Sequence, residues 1–217
     1  MARRPRRILA TIILAGPCIA AAAPPPQVAS CAACHGANGL GNAAAGFPAL
    51  AGLPAPYIEQ QLYSFKHGTR VNAIMTGIAT SLTSAQRTAI GQYYAALKVP
   101  AAPEPNPLPT GPGATLALNG AWNHQLTGLP SCASCHGPYG IGVGAQFPRL
   151  AGQPKQYLAA QLTDWQKHSR KNDPLHLMRN VAGKLSNTQI EAVAAYYAAL
   201  AANPTALPEP GAAKGAK

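Results

Sequence analysis

The sequence predicts an all-α protein in which one small helical domain occurs twice. Three observations carry that prediction. Residues 30–97 align with residues 131–200, and in the first forty or so aligned positions roughly half are identical, far above chance for an internal repeat. Each copy closes on a segment with helical apolar spacing, and no convincing run of alternating apolar and polar residues marks a strand. Each copy is also too long for a solenoid unit and large enough for a core of its own.

The 217-residue chain opens "MARRPRRILATIILAGPCIAAAAPPP". Four arginines, a short apolar run ending in small residues, and a proline cluster are the layout of a secretory signal peptide, over residues 1–23. A membrane anchor fits less well, because Gly16 and Pro17 interrupt the run and it falls short of the ~20 apolar residues a spanning helix needs. Pro17 before Cys18 argues against lipid attachment, and the residues after "RRPRR" match a twin-arginine signal poorly. The expected organisation is then a first domain over 24–98, a Pro-rich connector over 99–114, a second domain over 115–203, and a disordered tail over 204–217. The connector "KVPAAPEPNPLPTGPG" should be extended and semi-rigid, since proline fixes φ and removes a donor.

Charge excludes one class of partner. The chain carries 17 basic and 6 acidic residues, a formal net charge of +11, and four of the arginines leave with the leader. The remaining basic residues are scattered singly, with no cluster interleaved with aromatics, so no nucleic-acid surface is expected. A diffuse positive face for an acidic partner fits better.

Within each copy the helices announce themselves. Thr83 with Gln86, and Ser186 with Gln189, are capping-box pairs at the start of a closing helix. Behind them Ile90, Tyr93, Tyr94 and Leu97, and likewise Val193, Tyr196, Tyr197 and Leu200, recur on one face. A second helix should begin near Pro54 or Pro154 and bury Ile58, Leu62 and Phe65, or Leu158, Leu162 and Trp165. Only "PPPQVAS" precedes the first repeat, too little for an additional N-terminal helix, whereas "TLALNGAWNHQL" can supply one in the second. The first domain is therefore expected to lean more on its neighbour.

Chemistry concentrates at "SCAACHG", residues 30–36, and "SCASCHG", residues 131–137, which hold every cysteine outside the leader. Cys-x-x-Cys-His is the pattern of c-type haem attachment: two thiols reach the two vinyl groups of one porphyrin, and the adjacent histidine comes to lie under the iron. Cys31, Cys34, Cys132 and Cys135 are thus the candidate anchors, and His35 and His136 the proximal ligands. A redox dithiol would want a strand-helix context. A zinc site needs four ligands, and each copy offers three in a row. Disulfide pairing leaves the histidines unexplained. A lone methionine is usually core filler. Here Met75 and Met178 are the only methionines beyond Met1, and they lie 40 and 42 residues after His35 and His136. They are the expected distal ligands, an arrangement that raises the haem potential and closes the iron to other ligands. His67 and His168 do not align, and His124 lies before the second motif. His176, two residues before Met178, is the specific rival as a ligand in the second copy.

Taken together, the duplicated CxxCHG, the "FPxLAG" segment, the distal methionine and the closing "YYAAL" helix resemble the dihaem cytochrome c4 family over nearly the whole exported chain. The resemblance implies two tandem class I cytochrome c domains related by a pseudo-twofold, carrying two covalently bound haem c groups close enough to exchange electrons. It also implies that the carbonyl of Pro48 or Pro148 accepts a hydrogen bond from the proximal histidine. "GLP" stands at Gly52–Pro54 where the family's "GQP" is expected, so the role of that glutamine is missing from the first copy. The function expected is an exported, periplasmic carrier of single electrons between membrane or periplasmic redox proteins: a quinol-oxidising cytochrome complex, a terminal oxidase or a dehydrogenase. Peripheral membrane association is compatible with it. The alternatives are an electron-accepting subunit of a periplasmic dehydrogenase and, less favoured because both copies keep their methionine, a catalytic dihaem enzyme.

Overall fold

The computed structural model describes residues 23–103, 105, 107–121 and 128–205. The leader, Cys18, His124 and the tail beyond residue 205 lie outside the described residues. The first domain contains α1 (Val28–His35), α2 (Ala55–Lys66), α3 (Ala73–Thr80) and α4 (Ser84–Ala96). The second contains α5 (Pro112–Asn119), α6 (Ala133–His136), α7 (Lys155–Gln166), α8 (Leu177–Ala182) and α9 (Asn187–Ala199). Among the described residues β structure is limited to isolated bridges, and no helix is long and apolar enough to cross a membrane.

Both closing helices start as the capping boxes predict. Gln86 N donates to Thr83 Oγ1 at 3.2 Å, and Thr83 N donates to Gln86 Oε1 at 2.8 Å. Ser186 and Gln189 repeat the exchange with the same two distances. These bonds satisfy N–H groups that a helix start otherwise leaves orphaned. In the first domain α4 packs on α2, in a core of Ile58, Leu62, Phe65, Ile90 and Tyr94. In the second, α9 packs on α7 and α5 over Leu158, Ile190, Val193, Tyr196 and Tyr197. Leu162 is only partly buried against this cluster.

The extra helix explains an asymmetry between the copies. α5 lays Ala114, Leu116 and Ala117 on α9, where Tyr196 and Leu200 are buried at 4% and 3% exposure. Their counterparts Tyr93 and Leu97 stay half-buried, and among the described residues no helix precedes α1 to cover them. α5 begins at Pro112, inside the stretch read as connector, because Pro at the first helical position lacks an N–H that would be orphaned anyway. The α5–α9 contact is backbone-close: a Cβ on Gly113 would stand 2.2 Å from the Ala192 carbonyl oxygen. Gly113→Ala is therefore expected to destabilise the protein by about 1–3 kcal/mol through overpacking. Gly77 on α3, where an added Cβ meets nothing within 4 Å, is the control, and Gly77→Ala should leave the thermal midpoint unchanged or slightly raised.

The connector pairs with the segment that follows α9. Ala102 N donates to Asn203 O at 3.0 Å, Thr205 N to Ala102 O at 3.0 Å, and Asn203 Nδ2 to Val99 O at 2.8 Å.

The two domains meet around an approximate twofold axis. Arg70 and Arg170 face each other in an antiparallel bridge. Arg70 donates to Tyr157 and Gln161 of the second domain, and Arg170 to Tyr57 and Gln61 of the first. Contacts in which residue and partner exchange roles are the signature of a twofold interface.

Candidate functional site

Cys31, Cys34 and His35 occupy the last turns of α1, which Gly36 terminates at φ 81° while its N–H returns to Ala32 O. A side chain at that φ is strained, so glycine lets the chain turn immediately after the histidine. Gly137 does the same at φ 79° after His136. Both histidines are buried, and each donates from Nδ1 to a proline carbonyl: His35 to Pro48 O and His136 to Pro148 O, both at 2.8 Å. The bond expected from the resemblance is thus present twice. A carbonyl partner fixes the proton on Nδ1 and leaves Nε2 as the free, ligand-competent nitrogen. Burial pushes both imidazoles below their ordinary pKa, which keeps them neutral, the form that binds a metal.

The first copy's residues come together around one cavity of about 380 Å³. Cys31, Cys34, His35 and Met75 all line it, with Pro48, Leu53, Ile58 and Tyr94 supplying apolar wall. Met75 is the third residue of α3, and its N–H donates to the Asn72 side chain at 3.0 Å. In the second copy Met178 stands in α8, next to Arg179. Here the start of the helix is held by charge: Asp173 accepts from Arg179 N at 2.9 Å and from Arg179 Nε at 2.8 Å. Met178 lies eight residues beyond Arg170, but Met75 only five beyond Arg70. The extra residues form a short 3-10 turn, Pro174–His176, with Leu175 and His176 in the left-handed region. His176 is exposed. His67 stacks on Tyr63 at 3.8 Å and donates to its carbonyl, so it is committed to its own helix.

None of the four cysteines is paired in a disulfide. Cys31 and Cys132 sit against Tyr94 and Tyr197, and burial pushes the Cys132 thiol up to about 11. Among the described residues no three His, Cys, Asp or Glu side chains gather into a metal cluster.

One set of site residues escaped the sequence reading. Arg70 and Arg170 are buried, at 6% and 7% exposure. Both donate to the same two carbonyl oxygens, Gln61 Oε1 and Gln161 Oε1. Each guanidinium also lies over a ring, Arg70 on Phe65 at 4.5 Å and Arg170 on Trp165 at 4.3 Å. Among the described residues neither pairs with a carboxylate; the ion pairs are Lys155–Glu191 and Asp173–Arg179. Asp164 attracts Arg70 at longer range but is hydrogen-bonded to Ser169. Burying two cations with no carboxylate in ion-pair contact is costly. For Arg70 the hydroxyls of Tyr157 and Tyr57 and the more distant Asp164 offset part of that cost. Arg70, Tyr57, Gln61, Tyr157 and Gln161 line the same cavity as His35 and Met75. An occupant with an apolar body, thiol-reactive edges and carboxylates at the far end fits this lining. A c-type haem has that chemistry.

Comparison with known proteins agrees. The Cytochrome c family model matches residues 27–98 and 124–201. The thiosulfate dehydrogenase electron acceptor of Thiomonas intermedia (strain K12) is 47% identical over 208 residues, covering 92% of this chain and 94% of that protein. The cytochrome c4 of Pseudomonas aeruginosa is 38% identical over 183 residues, covering 83% of this chain and 88% of its own. Reduced recombinant cytochrome c4 from Pseudomonas stutzeri superposes with a TM-score of 0.71 at 36% identity, covering 80% of this chain and 95% of that one. A thiosulfate dehydrogenase from Marichromatium purpuratum also gives a TM-score of 0.71, at 41% identity, over 79% of this chain but only 36% of that longer chain. The two Cys-x-x-Cys-His units are the sites of two covalently bound haem c groups. The chain belongs to the cytochrome c family, as a dihaem protein of the cytochrome c4 kind built from two tandem domains.

Proposed function

We propose that this protein is an exported, periplasmic single-electron carrier whose haems are ligated by His35 with Met75 and by His136 with Met178, and that its electrons come from a thiosulfate-oxidising dehydrogenase. The observation that carries the ligation is the cavity that gathers Cys31, Cys34, His35 and Met75. The second copy repeats the cysteines, the histidine and its proline bond. Bound haem supplies reversible one-electron chemistry at iron. Cys31, Cys34, Cys132 and Cys135 would anchor the porphyrins through thioethers, and the Pro48 and Pro148 carbonyls hold the two imidazoles by Nδ1–H. Met75 and Met178 would supply thioether sulfur as the second ligand of each iron. Arg70 and Arg170 are the residues suited to hold its carboxylates between the domains. Two haem-binding domains joined at one interface would let the protein take an electron at one end and release it at the other.

The choice of donor rests on similarity to an electron acceptor of thiosulfate dehydrogenase at 47% identity over 92% of the chain. The test mixes the oxidised protein with thiosulfate alone and with thiosulfate plus a purified thiosulfate dehydrogenase. Reduction of both haems at turnover rate only when the dehydrogenase is present is the expected result. Reduction by thiosulfate alone, with tetrathionate formed, would identify an enzyme instead. Fast reduction by a quinol-oxidising cytochrome complex and none by the dehydrogenase would return the protein to a general respiratory shuttle.

A further inference from the structure

One of the buried contacts that break the pseudo-twofold lies beside the proximal histidine of the first copy. Gln153, 3% exposed, reaches from the second domain into the first. Its Oε1 accepts from Ala49 N–H at 2.9 Å, and its Nε2 donates to Ala49 O at 2.9 Å. Arg149 adds a bond from Nη2 to Ala51 O at 3.0 Å. The residues at the corresponding positions of the first copy are Leu53 and Ala49, which have no polar side chain to send back. Leu53 is instead part of the first domain's core.

The Ala49 N–H held by Gln153 and the Pro48 carbonyl that accepts from His35 are two ends of one peptide group. An amide whose N–H is engaged becomes a better acceptor at its oxygen, because hydrogen bonds in a chain polarise one another. The stronger the bond from Nδ1–H, the more basic the histidine as a ligand, and second-shell hydrogen bonding is one of the protein's levers on haem potential. We infer that Gln153 is a positioning residue for the first haem: through the Pro48–Ala49 peptide, the second domain strengthens the His35 hydrogen bond and so lowers the potential of the first haem alone. The relay runs one way, because Leu53 cannot do the same for Pro148 and His136. Docking of a partner that shifts the interface would be felt at the first haem through this contact.

The inference rests on His35 as an axial ligand, so the test separates the two. In the unmodified reduced holoprotein, proton NMR should show a hydrogen-bonded Nδ1–H for each proximal histidine. Their absence, with no methionine–ferric band in the oxidised form, would sink the ligand reading itself. In Gln153→Leu the His35 signal should move toward that of a weaker hydrogen bond while the His136 signal stays. Haem methyl resonances followed through a redox titration assign each potential to its haem. The first haem's ferrous-to-ferric ratio at fixed potential should rise roughly threefold, an upward shift of about 30 mV at 59 mV per tenfold for one electron, with the second haem unchanged. The sign matters, because simple loosening of the interface admits water, favours ferric iron and shifts the potential down. No shift, a downward shift, or equal shifts at both haems with ligation intact would overturn the relay. If Gln153→Leu gives no holoprotein, Gln153→Asn, one methylene too short to reach Ala49, is judged by the same outcomes.

Discussion

Replacing Met75 by alanine is expected to remove half of the weak red methionine-to-ferric-iron absorption of the oxidised protein, and Met178→Ala the other half. Each variant should keep its fold, because the methionine side chain does not cap its helix. The bond at the start of α3 runs from Met75 N–H to the Asn72 side chain and survives the substitution. At α8 the corresponding bonds belong to Asp173 and Arg179. On the proposed ligation, what is lost is the iron's sixth ligand. Methionine with histidine raises haem potential, so the altered haem should fall by a sizeable part of the roughly 0.8 V that axial ligation spans. The opened iron should also bind carbon monoxide when reduced, at one equivalent per protein. An unchanged red band in either variant would remove that methionine from the ligand set. In Met178→Ala a new low-spin spectrum without carbon monoxide binding would show His176 moving in. That outcome is available only to the second haem, since α3 has no histidine at the matching place.

How much of this was legible beforehand follows from which interactions are local. The capping boxes lie within four residues of each other, and the structure keeps both. The haem motif is local too, and the proline carbonyl, 13 residues from His35, came with the resemblance. The interface was not local. Tyr57, Gln61 and Arg70 recur as Tyr157, Gln161 and Arg170, and Tyr and Gln one helical turn apart form a polar stripe on one face of an otherwise core-forming helix. That repeated stripe was a signal for a buried polar contact, but only the fold shows that the two stripes meet each other. The "GLP" departure was noticed in the sequence. Its meaning depended on Ala49, 104 residues from Gln153. The Asp173–Arg179 pair likewise needed the short turn at Pro174–His176 to bring its ends together.

Arg70→Met and Arg170→Met carry the other large expected effect, on the fold and on the haems together. Both guanidiniums are buried and remain charged, since arginine does not give up its proton in a protein. In the loaded protein the haem carboxylates are the anions suited to offset them, and removing one partner of such a buried arrangement costs on the order of 3–5 kcal/mol. A lost positive charge also favours ferric iron. Over about 10 Å at an effective dielectric near 20, one unit charge is worth roughly 1.5 kcal/mol, or about tenfold in the ferric-to-ferrous ratio, so potentials should fall by about 60 mV. The pH dependence gives the sharper signature. A neighbouring cation depresses a carboxyl pKa, which keeps the haem carboxylates ionised in both redox states near neutrality and the potentials flat with pH. Without the arginine the carboxyl pKa rises, and it rises further when the iron is ferrous, because the ferric centre's extra charge helps hold the carboxylate ionised. Between the two pKa values reduction takes up a proton, so the potential should fall as pH increases across that window and level off above it. Spectroelectrochemical titrations of both variants across the acid-to-neutral range check this. Potentials as high and as flat as those of the unmodified protein would mean that the two buried cations are balanced by something other than the haems.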